Sequence, residues 1–224
     1  MVDLLMDGTF AVHILAGVVA LLAGVGAIVT RKGGQRHNQA GKVYVGAMAI
    51  VVVTAVPLAV RVENWFLLAI AVFSGYLVFA GYRVVMRRRA RLQWATLLDW
   101  VGHGTMLVVG AVMVGAGGWQ IATGSPGLAP VLVVFGLIGL GLAARSVVQF
   151  RQPPDERLQW FETHVPFMGG AYIATVTAAV TVNLTMLPPL VRWLGPTVVG
   201  VPLILYATRS YRPVFAPTHA STAD

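Results

Sequence analysis

Seven apolar stretches, each long enough to cross a bilayer and each closed by charges, Gly or Pro, decide what this chain can fold into. A hydrocarbon core of about 30 Å takes roughly 20 residues of helix at 1.5 Å each. Runs of that length fall near Phe10 to Thr30, Val43 to Val60, Trp65 to Met86, Trp94 to Ala116, Leu128 to Val148, Phe161 to Leu187 and Leu190 to Thr208. The links between them are short. Gly124-Ser125-Pro126-Gly127 reads as a turn, and Pro153-Pro154-Asp155 as a helix start whose carboxylate suits the positive end of the helix dipole. The expectation is an all-α integral membrane bundle of seven transmembrane helices, one domain over 1–212. The polar, proline-bearing stretch 213–224 is expected to be a disordered cytoplasmic tail, with His219 silent in it. Composition agrees: 57% hydrophobic and 11% charged residues, with a mean hydropathy of +0.77, do not suit an ordinary water-facing surface.

The formal charge of +8 would raise the question of nucleic acid in a soluble chain. Here the basic residues sit between apolar runs, so they read as topology signals and no nucleic-acid partner is expected. Arg31, Lys32, Arg36 and Lys42 lie between runs one and two; Arg83, Arg87, Arg88, Arg89 and Arg91 between three and four; Arg145, Arg151 and Arg157 around the fifth-to-sixth link; Arg209 and Arg212 after the seventh. Arg61 and Arg192 alone fall on the other side. The positive-inside rule then places the N-terminus outside and the C-terminus in the cytoplasm. The first nine residues carry only Asp3 and Asp7 as side-chain charges, unlike a secretory signal, so the first run is expected to remain as a helix. Trp65, Trp94, Trp119, Trp160 and Trp193 stand near run ends, where an amphipathic indole anchors at the interface.

The chain has no cysteine, which excludes disulfides, thiolate metal sites, iron–sulfur clusters and covalent haem attachment. Any cofactor must be held by His, carboxylate or packing. An ionisable side chain within a span is costly and therefore a functional candidate. His13 lies about one turn into the first run, and His37 just before the second. His103 lies nine residues into the fourth run, roughly 13 Å deep at helical rise. His164 stands near the start of the sixth. Asp99 and His103, four apart, share a helix face, where a carboxylate can co-ligate a metal or orient an imidazole. Glu162 and His164, two apart, point in different directions. If helices two, four and six meet, His37, Asp99, His103, Glu162 and His164 line one metal site, while His13, His37, His103 and His164 are the candidate haem ligands. Mixed nitrogen and oxygen donors would instead suit Zn, Mn or non-haem Fe. The competing reading is that these histidines only hydrogen-bond to backbone or across helices. Glycines in runs one, four and five read as packing surfaces. No phosphate loop, nucleophile elbow or HExxH motif is present, and Lys32 and Lys42 leave no mid-helix Schiff base for retinal.

Two segments resemble a bacterial family of multi-pass membrane proteins without an assigned activity. The first runs from His13-Ile14-Leu15-Ala16-Gly17 through Gly24 to Arg36-His37-Asn38-Gln39-Ala40-Gly41-Lys42-Val43-Tyr44, with Asn38 where the family pattern has Arg. The second runs from Gly169-Gly170-Ala171-Tyr172 through Asn183 to Trp193-Leu194-Gly195-Pro196-Thr197. The resemblance implies a seven-span protein of the bacterial inner membrane and draws attention to His13, His37 and His164. Three functions follow as expectations. The first is a redox or metal-binding protein holding haem b or a divalent metal. The second is an accessory subunit partnered with other membrane subunits. The third is a small proton-coupled transporter that uses Asp99 and His103 at depth, with Pro57 and Pro166 as helix breaks.

Overall fold

The computed structural model describes residues 2–92, 94–151 and 158–215. Within them the chain forms seven helices and no strand: α1 (Val2–Val29), α2 (Gln35–Arg61), α3 (Trp65–Arg89), α4 (Leu97–Ala122), α5 (Ala129–Phe150), α6 (Gln159–Asn183) and α7 (Pro189–Phe215). All seven are long and apolar enough to cross a membrane. Helix is what lipid demands, because it satisfies every backbone N–H and C=O inside the segment. Each apolar run therefore becomes one helix, and the helices run past the runs into polar flanks. α1 begins at Val2 rather than Phe10, and α2 at Gln35 rather than Val43, so His37 belongs to the first turn of a helix and not to a link. α4 begins three residues after Trp94 because Thr96 and Asp99 cap it. α7 extends through Pro213 to Phe215, so the start of the expected tail is helical. α2 and α6 continue through Pro57 and Pro166, which break neither helix. Pro153, Pro154, Asp155, Arg157 and His219 lie outside the described residues.

Side-chain contacts sort the helix ends into two layers. At one end Arg83 of α3 meets Asp99 of α4, Arg87 stacks on Phe150 of α5, and Arg88 stacks on Trp160 of α6. There too, Glu162 of α6 pairs with Arg212 of α7, and Lys32 after α1 faces Tyr211 of α7. This is the basic end. At the opposite end Asp3 pairs with Arg61, and Phe66 packs edge-on against Trp193. The chain thus crosses between the two ends seven times, reversing direction at each link.

The core is organised around α3, which touches α2, α4, α5 and α6 and buries Phe73, Tyr76, Leu77, Val78 and Gly81. α1 lies on α2 and α6, while α7 lies against α6 and buries no residue. Exposed apolar side chains cover the outside, as a lipid-facing surface requires, because hydrocarbon solvates them at no cost. Close approach replaces hydrophobic exclusion as the cohesive force. Gly110 and Gly136 bring α4 and α5 almost backbone to backbone: a Cβ on Gly136 would stand 2.9 Å from the Gly110 carbonyl oxygen. Gly136→Val is expected to push the two helices apart and cost about 1–3 kcal/mol, read as a lowered midpoint of denaturant-induced unfolding in detergent. Gly118→Ala, where no atom stands within 4 Å, should leave that midpoint in place.

Candidate functional site

The most connected polar group is Asp99, 1% exposed in the first turn of α4. Its carboxylate accepts from the Thr96 backbone N–H and the Thr96 hydroxyl, each at 2.8 Å, which closes the start of the helix. Arg83 donates to both carboxylate oxygens, Nε at 2.8 Å and Nη2 at 3.3 Å, and also to the Thr96 hydroxyl at 2.8 Å. Arg87 approaches the same carboxylate at 3.6 Å. Arg83, Arg87 and Thr96 therefore hold the Asp99 carboxylate at the basic end. The expected Asp99–His103 partnership does not form, and Asp99 is a capping and ion-pairing residue rather than a group at depth. Its place in the first turn makes this so: the residue that fills the N-terminal cap points back along the helix, away from the next turn.

His103, one turn further in and 5% exposed, takes its partner from α3. Its Nδ1 lies 2.9 Å from the Tyr76 hydroxyl, inside a box of Tyr76, Phe150 and Phe167 rings. Ser146 of α5, 4% exposed, donates to the Leu142 carbonyl of its own helix at 3.0 Å and lies near the Tyr76 phenol. Three helices thus contribute one polar group each to a single buried point.

On the other side of α3, His37 and His164 form a second point. The Nδ1–H of His37 donates to the Ala27 carbonyl at 2.9 Å, one of the carbonyls that α1 leaves open at its end. Lys32 donates to the same carbonyl at 3.1 Å and also to that of Ile28, and burial there holds its ammonium below the usual lysine range. The Nδ1–H of His164 donates to the Gly81 carbonyl at 2.8 Å. That carbonyl is reachable because Gly81 has no side chain: a Cβ there would stand 3.1 Å from Phe167 Cβ. A carbonyl only accepts, so both rings carry their proton on Nδ1, and Nε2 of each is left as a bare lone pair.

The remaining candidates stand apart. His13 sits toward the opposite end of the bundle, with Nδ1 2.9 Å from the Thr54 hydroxyl. Thr54 spends its own proton on the Ile50 carbonyl, so His13 is the donor there. Glu162 pairs with Arg212 at 3.0 Å and diverges from His164. Helices α2, α4 and α6 do not converge, because α3 lies among them and takes the contacts. His37, Asp99, His103, Glu162 and His164 accordingly do not gather into one site, and among the described residues no group of three or more His, Asp or Glu is placed to hold a metal ion.

Sequence reasoning missed Tyr76, Arg83 and Ser146. A signal existed for the first two: Tyr76, Arg83 and Arg87 fall at helical spacing on one face of the third run, opposite an Asp and a His spaced four apart on the fourth. A third polar contact, Tyr44 to Thr175 at 3.0 Å, ties α2 to α6. No family model, curated protein or solved structure matches the chain. Asp99→Asn is expected to destabilise the bundle by about 3 kcal/mol, because Arg83 then keeps a partly buried charge without its counter-ion. The loss should shrink when Arg83→Leu is combined with it, as a double-mutant cycle of detergent unfolding would show.

Proposed function

We propose that this is a multi-pass protein of the bacterial inner membrane in which His37 and His164 would hold one haem b, which would supply electron transfer. What carries the reading is the state of those two rings. Each is pinned through Nδ1 to a backbone carbonyl of a different helix, which leaves its Nε2 free of a protein partner among the described residues. An imidazole whose outer nitrogen is tied to a carbonyl is oriented and made more basic, which is how proteins prepare a histidine for iron. Haem is favoured over a bare divalent cation by ligand number. A porphyrin supplies four nitrogens and asks the protein for two, whereas Zn or non-haem Fe asks the protein for at least three. The basic residues at the end that holds these rings support the expected orientation, with that end and the C-terminus cytoplasmic and the N-terminus outside.

The test is a reduced-minus-oxidised absorption spectrum of gently extracted protein, with iron counted per chain. A b-type band is expected that His37→Ala and His164→Ala each abolish and that His13→Ala and His103→Ala leave. A flat spectrum and sub-stoichiometric iron from cells supplied with haem would end the redox reading.

A second reading, an accessory subunit of a larger membrane assembly, is favoured by α7, a helix of 27 residues none of which is buried. Under it the protein should migrate with partners on native gels of mildly solubilised membranes, and free monomer alone would count against it.

A further inference from the structure

The last turn of α7 lies across the end of the bundle that holds His37 and His164. The Phe215 ring stands 4.9 Å from that of Phe161 and, edge-on, 5.6 Å from that of Trp160, both in the first turn of α6. The same ring reaches the link before α2, where a Cβ on Gly33 would stand 3.7 Å from it. Gly33 comes four residues before His37. Trp160 comes one turn before His164, with their ring centroids 6.5 Å apart. Phe215 therefore spans the approaches to α2 and α6, on the basic-end side of both imidazoles. Two further contacts flank it: Arg212 pairs with Glu162 at 3.0 Å, and Tyr211 faces the Lys32 ammonium at 5.9 Å.

The competing account is a simple interfacial anchor, since aromatic and basic side chains gather at membrane surfaces anyway. Three features argue for a movable part. α7 buries no residue of its own. Pro213 stands inside this turn and has no N–H to give the Arg209 carbonyl, so fewer backbone bonds join the turn to the rest of α7. The ion pair that holds the turn is exposed, 58% at Arg212, and such pairs are weak. What lies beneath is fixed by contrast: His37 and His164 each hang from a carbonyl, and Phe161 is buried.

We infer that the last turn of α7, residues 211–215, is a lid that controls access from the basic end to the His37 and His164 imidazoles. The inference rests on the proposed role of those two rings as ligands and names what regulates their loading. Closed, Phe215 fills the space between Gly33 and Trp160. Opening breaks the Arg212–Glu162 pair and withdraws Phe215 from Trp160 and Phe161, with Pro213 as the weak point of the turn. No covalent bond changes.

The experiment is carbethoxylation by diethyl pyrocarbonate, which attacks a bare imidazole nitrogen, on the full chain in lipid nanodiscs prepared from haem-depleted cells. Mass spectrometry gives the rates at His37 and His164, with His13, toward the opposite end, as the control of global fold. Phe215→Ala is expected to speed labelling of His37 and His164 about tenfold, the weight of one aromatic contact, and to leave His13 at the parent rate. Phe215→Leu, which keeps most of the bulk, should label close to the parent. Parent rates at both rings in a variant that combines Phe215→Ala with Arg212→Gln overturn the proposal. A rise at His13 equal to that at His37 and His164 also overturns it, because the whole bundle would then have loosened. The label needs no haem, so a flat absorption spectrum ends the haem reading and leaves the lid, whereas parent labelling rates end the lid and leave the haem reading.

Discussion

The carboxylate of Asp99 holds the rest of the arrangement in register. It begins α4, it neutralises Arg83 and draws in Arg87, and it thereby locks the last turns of α3 to the first turns of α4. With those turns locked, the next polar level is determined: Tyr76 on α3 must face His103 on α4. Charge is tolerable here because the cluster sits at the end of the bundle, where arginine stems lie along apolar rings and their heads reach toward water. Arg87 over Phe150 and Arg88 over Trp160 do this on two further helices. One anion among several guanidinium groups thus assembles the basic end.

α3 then divides that end into two chemically distinct compartments. On the α4–α5 side, the hydrogen bonds run between side chains, and the buried imidazole meets a phenol. On the α1–α2–α6 side, two imidazoles each spend one nitrogen on backbone and keep the other. The same residue type is therefore used in two ways, and the difference lies in what the neighbouring helix presents. Gly81 presents a bare carbonyl to His164 because α6 packs tightly over it. Tyr76, five residues earlier on the same helix, presents a hydroxyl to α4. Small residues and polar residues on α3 act together: the first set the helix spacing, and the second exploit it.

The number of helices and their transmembrane length were legible because lipid imposes a length and an apolar content that no other fold satisfies. The helix ends were less so, since a helix in water beyond the apolar run leaves no hydropathy trace; α2 reaching back to include His37 is the instance that matters. The pairing of helices was not legible at all. Asp99 and His103 share a face of one helix, as their spacing says, yet their partners come from Arg83 and Tyr76 on another. Spacing within a helix fixes which residues can cooperate, but only packing decides whether they do. His37 and His164 lie far apart in the chain, and nothing in either segment announces that α1 and α3 will each lend a carbonyl to orient them.

Those two hydrogen bonds have a mechanical consequence. His37 belongs to α2 but hangs from α1, and His164 belongs to α6 but hangs from α3. Each ring bridges a helix pair, so its tilt is a lever whose fulcrum is one helix and whose load is carried by the next. A slide of α1 along α2, or of α6 along α3, by a fraction of a turn would swing the Nε2 atoms relative to one another. The pair is thus a gauge of helix registration, and whatever occupies it would clamp four of the seven helices at once.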